Sequence, residues 1–112
     1  MKNYSLLRGS DGLQHLSPAY DQLCTRLVIE NDDLALPVGG KKANLTRRTW
    51  LEYAEYCGIP EKAATRVLTG LVDATGDALS LISRSFLSEE MRERYRRNVS
   101  EPSAVLKGRK AR

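Results

Sequence analysis

Between Thr46 and Leu106 the apolar residues recur with the period of an α-helix, and this pattern confines most of the chain to a helical body. Thr46 is a side-chain cap ahead of Trp50, Leu51, Ala54 and Cys57, which share one helical face, and Gly58 supplies a left-handed stop. Trp50 at such spacing is a core anchor rather than a binding platform. From Pro60 a second run begins, in which Ala64, Val67, Leu68, Leu71, Val72, Leu79, Ile82 and Phe86 recur three, four or seven apart. This spacing predicts a long core helix opened by proline at its first position. Gly70 and Gly76 each cost roughly 1 kcal/mol relative to alanine inside a helix, so a kink or break is expected near Thr75-Gly76-Asp77. Ser88 opens a last helix, with Glu89 and Glu90 in the first turn where the dipole favours negative charge. Its apolar stripe of Met91, Tyr95 and Val99 is narrow, which predicts light packing, and Pro102 is expected to end or bend it.

A chain of 112 residues and 12.5 kDa has room for one small core, burying about 65% of the surface its unfolded form exposes. Its hydrophobic fraction of 41% and charged fraction of 29% are ordinary globular usage, which excludes wholesale disorder. No apolar run approaches the ~18–20 residues of a membrane span, and the N-terminus lacks a charged-then-apolar signal pattern. The expectation is a cytoplasmic protein with no membrane partner. Cys24 and Cys57 stand far apart with no companion His or Cys, which favours reduced structural thiols over a metal site or a disulfide framework. The net charge of +4 is modest and collects late in the chain, at Arg92, Arg94, Arg96, Arg97, Lys107, Arg109, Lys110 and Arg112. Such a run is either a solvated helix face with a loose basic tail or a contact for nucleic acid or an acidic partner.

The first twenty-one residues follow a different rule. Tyr4, Leu6 and Leu7 precede Gly9-Ser10-Asp11-Gly12, and Leu13 and Leu16 follow it, the punctuation of a short hairpin. Folding it brings the Asn3 amide and the Asp21 carboxylate toward each other. An amide oxygen and a carboxylate oxygen are hard donors of the kind Mg²⁺ takes beside phosphate and water, and protein kinases hold their ATP metals with an Asn and a later Asp. After Asp21 the run Gln22–Ile29 reads as a helical turn leading into the acidic loop Glu30–Asp33. Leu34, Leu36 and Val38 alternate with Ala35 and Pro37, then Gly39-Gly40 offers a two-residue turn before Lys41–Leu45. A second hairpin is expected here, at an edge because Pro37 cannot donate to a ladder. The Gly-Gly-Lys-Lys run lacks the spacing of a phosphate-binding loop.

Lys2-Asn3-Tyr4-Ser5-Leu6-Leu7 followed by Leu16-Ser17-Pro18-Ala19-Tyr20-Asp21 resembles the catalytic-loop exit and metal-binding segment of HipA-like Ser/Thr kinases, the toxins of bacterial toxin–antitoxin pairs. Leu34-Ala35-Leu36, Gly39-Gly40-Lys41-Lys42, Leu45-Thr46 and the Trp50 helix with Gly58-Ile59-Pro60 follow in that family's order. The resemblance implies a mainly α fold with short β-hairpins, part of the C-lobe of a kinase-like fold. Its pieces are a metal-site hairpin at 1–21, an edge hairpin at 33–45, a helical subdomain at 46–106 and a basic tail at 107–112. It further implies Asn3 and Asp21 as Mg²⁺ ligands, Asp21 bridging metal and phosphate, with Lys2 beside the transferred phosphoryl group of ATP. Tyr20 stands near the place where classical kinases carry a Phe and is expected to pack.

In that family the loop reads Asp-x-His-x-Lys-Asn, and the Asp is the catalytic base. Met1 here takes the variable place before Lys2-Asn3, so the base is expected upstream and no catalytic residue is assigned. The chain is accordingly expected to be silent alone, as a piece of a longer kinase or as a subunit that completes one. His15 matches no motif of the family, and as a lone histidine without an evident partner it reads as a surface or satisfied histidine rather than an acid/base residue. Partners implied are a helix-turn-helix antitoxin of HipB type and, for the intact kinase, a protein of translation as substrate. The alternative is a non-catalytic basic module that binds such an antitoxin, or DNA or RNA phosphates through the Arg-rich terminus.

Overall fold

The computed structural model describes residues 3–29 and 32–108. It is mainly helical, with a two-stranded hairpin ahead of four helices, as the periodicity requires. Strands β1 (Leu6–Arg8) and β2 (Gln14–Leu16) pair antiparallel, with Leu6 opposite Leu16, Leu7 opposite His15 and Arg8 opposite Gln14. A 3₁₀ turn at Thr25–Leu27 follows, then α1 (Arg47–Tyr56), α2 (Glu61–Asp73), α3 (Thr75–Ser83) and α4 (Glu89–Leu106).

Helix α1 starts where its cap predicts. The Thr46 hydroxyl accepts from the Thr49 amide at 3.2 Å, and the Thr49 hydroxyl accepts from the Thr46 amide at 3.4 Å, so two amides left orphaned by the helix end are satisfied reciprocally. Gly58 ends the helix with φ 71°, and Ile59-Pro60 leads directly into α2. The face of α1 follows the spacing except at its end: Ala54 is buried, Trp50 and Leu51 are half-buried, and Thr49 is buried beside them, whereas Cys57 is exposed at the C-terminus. Both cysteines are free thiols.

The single long helix expected from Pro60 is two. Ala74, at φ −70° and ψ −7°, closes α2 and opens α3. The Thr75 hydroxyl, which bonds the Leu71 carbonyl at 3.4 Å and the Ser103 hydroxyl of α4 at 2.8 Å, fixes the break. The expected kink near Thr75–Asp77 therefore falls one residue earlier, at the point where a side chain ties the chain to another helix. Ala64, Leu68 and Val72 of α2 and Ile82 of α3 are buried. Val67 and Leu71 are not, and Phe86 is fully exposed. The buried positions recur every four residues, so the core takes one edge of the apolar stripe and leaves the other to solvent.

Helix α4 opens at Ser88, whose hydroxyl accepts from the Met91 amide. It packs against α3, α2 and the 3₁₀ turn, and yet its only buried residue is Ser103. Of the expectation that Pro102 ends or bends it, the ending is corrected: the helix runs on to Leu106, and only then do Lys107 and Gly108, at φ 79°, close it. Proline here forgoes one helical hydrogen bond. The Ser103 contact with Thr75, and the bond from the Arg47 guanidinium to the Leu106 carbonyl at 3.3 Å, hold the last turn in place. Of the basic tail, residues 109–112 lie outside the described residues.

The second hairpin is shorter than expected. Gly39 and Gly40, at φ 55° and 76°, make the two-residue turn that their lack of Cβ permits. The pairing is confined to a bridge between Val38 and Lys41 and one bond from the Leu34 amide to the Lys42 carbonyl at 3.1 Å. Pro37 removes the donor that a longer ladder needs.

Replacing Thr46 with Ala removes the hydroxyl that accepts from the Thr49 amide and leaves the bond from the residue-46 amide to the Thr49 hydroxyl. The expected loss is about 1 kcal/mol of folding stability, read from the midpoint of urea unfolding with an unchanged slope.

Candidate functional site

The hairpin owes its closure to its turn. The Gly9 amide donates to the Leu13 carbonyl at 2.9 Å and the Gly12 amide to the Gly9 carbonyl at 3.0 Å. A Cβ on Gly9 would meet the Asp11 carboxylate at 2.5 Å and the His15 ring at 3.0 Å, so a larger residue here would displace the Asp11 and His15 side chains. Below the strands the zip continues: the Ser17 amide donates to the Ser5 carbonyl at 2.7 Å, and the Ser5 amide to the buried Ser17 hydroxyl at 3.1 Å. At the base, the Tyr20 amide donates to the Asn3 carbonyl at 3.4 Å and the Asn3 side-chain amide to the Asp21 carbonyl at 3.0 Å.

Asn3 and Asp21, eighteen positions apart, are thus brought together. The contact is from the Asn3 nitrogen to the Asp21 backbone, and it leaves the Asn3 amide oxygen and the Asp21 carboxylate uncommitted. That carboxylate has no hydrogen-bond or ion-pair partner among the described residues. Asp21 also sits at φ 53°, in the left-handed region that Asp and Asn tolerate better than branched side chains do. Lys2 lies outside the described residues. Tyr20, expected to pack, is 47% exposed.

The donor chemistry fits Mg²⁺, which takes oxygen ligands, commonly one or two carboxylates completed by phosphate and water. It does not fit a cage built by protein alone. Among the described residues no group of three or more His, Cys, Asp or Glu side chains is placed to hold a metal ion. A shallow groove beside α1, lined among others by Leu51, Glu55, Ile59 and Pro60, includes neither Asn3 nor Asp21.

His15 has a partner that was not evident in the sequence. Its Nε2 lies 2.9 Å from Asp11 Oδ2, both side chains about half exposed, across the tip of the hairpin. The available signal was the four-residue spacing over a glycine turn, which a hairpin folds into contact. Asp11 is held below its ordinary carboxylate value, first by the Leu13 amide at 3.0 Å and then by the His15 ring. In α4, Glu89 is likewise held low, by the Arg96 hydrogen bond first and the charge of Arg92 next. Arg92, Arg96 and Arg97 each pair with Glu89 or Glu93, so much of the helix's positive charge is answered within it.

The model of the family described as HipA-like C-terminal domain matches residues 1–79, a span that holds the hairpin, α1, α2 and the start of α3. A search of the curated proteins found no match. No described helix is long and apolar enough to cross a membrane.

The Asp11 shift gives a pH prediction. A carboxyl depressed in the folded hairpin stabilises it above the ordinary aspartate range, and this contribution is lost as pH falls through the folded value. In an NMR titration, His15→Ala should move the Asp11 pKa upward while leaving it below the ordinary value, because the Leu13 amide still donates. An unchanged Asp11 titration would show that the ring contributes nothing.

Proposed function

Because the chain belongs to the HipA-like C-terminal domain family, we propose that it carries the metal-holding part of the C-lobe of a HipA-like Ser/Thr protein kinase toxin. The observation that carries this proposal is the closed base of the hairpin, which sets Asn3 beside Asp21 and leaves two oxygen functions uncommitted. Asn3 and Asp21 would hold Mg²⁺ on ATP, and Lys2 would lie beside the transferred phosphoryl group. When bound, the metal neutralises charge that develops on the phosphates. The residues of this chain contribute positioning. The Asn3 amide nitrogen, spent on the Asp21 carbonyl, orients its own oxygen, and the ladder from Ser5 to Ser17 fixes the distance between the two ends of the segment.

Phosphoryl transfer also needs a base for the substrate hydroxyl and a lysine and loop over the phosphates, all held together. The family's Asp-x-His run is not among these 112 residues. The chain by itself is therefore expected to transfer no phosphate from ATP. Joined to a kinase segment that supplies the missing groups, it should support Mg²⁺-dependent autophosphorylation that Asp21→Asn abolishes. Asn tolerates the same backbone conformation, so the variant removes charge without straining the fold. Full activity in Asp21→Asn would refute the metal role.

A second possibility, a basic module that docks on a helix-turn-helix antitoxin or on nucleic-acid phosphates, draws on Arg94 and on the residues after Gly108 more than on the paired arginines of α4. Its test is a salt titration with DNA. Phosphate contacts predict affinity that falls steeply as salt rises, and affinity indifferent to salt would exclude them.

A further inference from the structure

The outer face of α2 is built for company. Val67 and Leu71, one turn apart, are 62% and 60% exposed, and Ala63, Gly70 and Ala74 lie on the same side of the helix. Gly70 has an ordinary helical φ, and a Cβ placed on it meets nothing within 4 Å, so neither the backbone nor the packing of this chain asks for glycine there. A mid-helix glycine is unfavourable without a reason, and close approach of another backbone is one. Along one edge of the face stand Arg66 and Asp73, neither in an ion pair with a described residue.

Those two charges identify the occupant. They flank Gly70, basic toward the N-terminal half and acidic toward the C-terminal half. If two copies of α2 cross antiparallel about a two-fold axis between Thr69 and Gly70, Arg66 of each copy meets Asp73 of the other. An isologous contact needs this property, a patch that is its own complement. There is also area to supply it. The chain exposes 9302 Å², whereas a compact monomer of its mass exposes about 6,200 Å², and a stable dimer buries about 800 Å² from each partner. We propose that the Val67–Gly70–Leu71 face of α2 is a homodimer interface, two copies meeting antiparallel with reciprocal Arg66–Asp73 pairs.

Sedimentation equilibrium of the 112-residue chain should then give a species of twice 12.5 kDa that dissociates on dilution. Gly70→Leu should yield monomer with unchanged helical circular dichroism, because the added side chain points into open space in the isolated chain. Arg66→Asp and Asp73→Arg should each weaken the dimer by about 10-fold, through two like-charge contacts per dimer, and the double exchange should restore it. A dimer indifferent to Gly70→Leu, or a double exchange no better than either single change, would overturn the proposal. Monomer at every concentration would do the same, and so would protection of α2 by a preceding kinase segment in a monomeric longer chain.

Discussion

The fold depends on the burial of one narrow stripe. Ala64, Leu68 and Val72 present three consecutive turns of α2 to the neighbouring helices, with α1 packed against α2 from one side and α4 from another. Leu27, Val38, Ala54 and Ile82 complete the core, and no large side chain in the described residues is wholly enclosed. With so little apolar volume at the centre, polar devices at the helix ends carry an unusual share of the organisation. The reciprocal cap at Thr46 closes the start of α1, and the Thr75–Ser103 hydroxyl pair and the bond from Arg47 to Leu106 each join a helix end to its neighbour. The radius of gyration of 16.2 Å, against about 13 Å for a compact domain of this length, follows from the same thinness.

The hairpin lies outside that economy. Its strands pack on each other rather than on the helices, and Leu6 and Leu16, paired across it, both face solvent. What holds it is the turn at Gly9, the ladder and the hydrogen bonds at its base. Segments with few buried contacts open at low free energy. The candidate metal ligands thus sit on an element that a further surface, whether polypeptide or nucleotide, would order, while the helical body provides a fixed support.

Charge follows an equally local logic. The arginines of α4 read, in the sequence, as a solvated helix face or as a contact for an acidic partner. In three dimensions Glu89 and Glu93 answer three of them, and Arg92 also donates to the Ser83 carbonyl, so the helix uses its charge to grip the end of α3. By contrast, Arg66 and Asp73 lie seven residues apart on one helix edge, too far to meet each other along it. Their pairing requires a second molecule.

Short-range chemistry was written in the chain. Thr46 and Ser88 cap, Gly58 stops α1, Gly39-Gly40 turns, and the Gly9–Gly12 punctuation brings Asn3 to Asp21, because each depends on residues within a few positions or on the closure of a single ladder. Family membership was legible for the same reason, through Lys2-Asn3 and Pro18-Ala19-Tyr20-Asp21 in their local order. Tertiary structure alone decided which edge of the α2 stripe is buried, since period 3.6 marks an apolar side without saying how much of it neighbours will cover. It also set the expected break at Ala74, one residue ahead of Thr75–Asp77, where Thr75 bonds across to Ser103, and decided that α4 continues past Pro102, where those same contacts hold the last turn. His15 found Asp11 only once the turn had folded. Local energies of this kind are fixed by neighbours in sequence; coverage, breaks and cross-chain contacts are fixed by what else competes for the same surface.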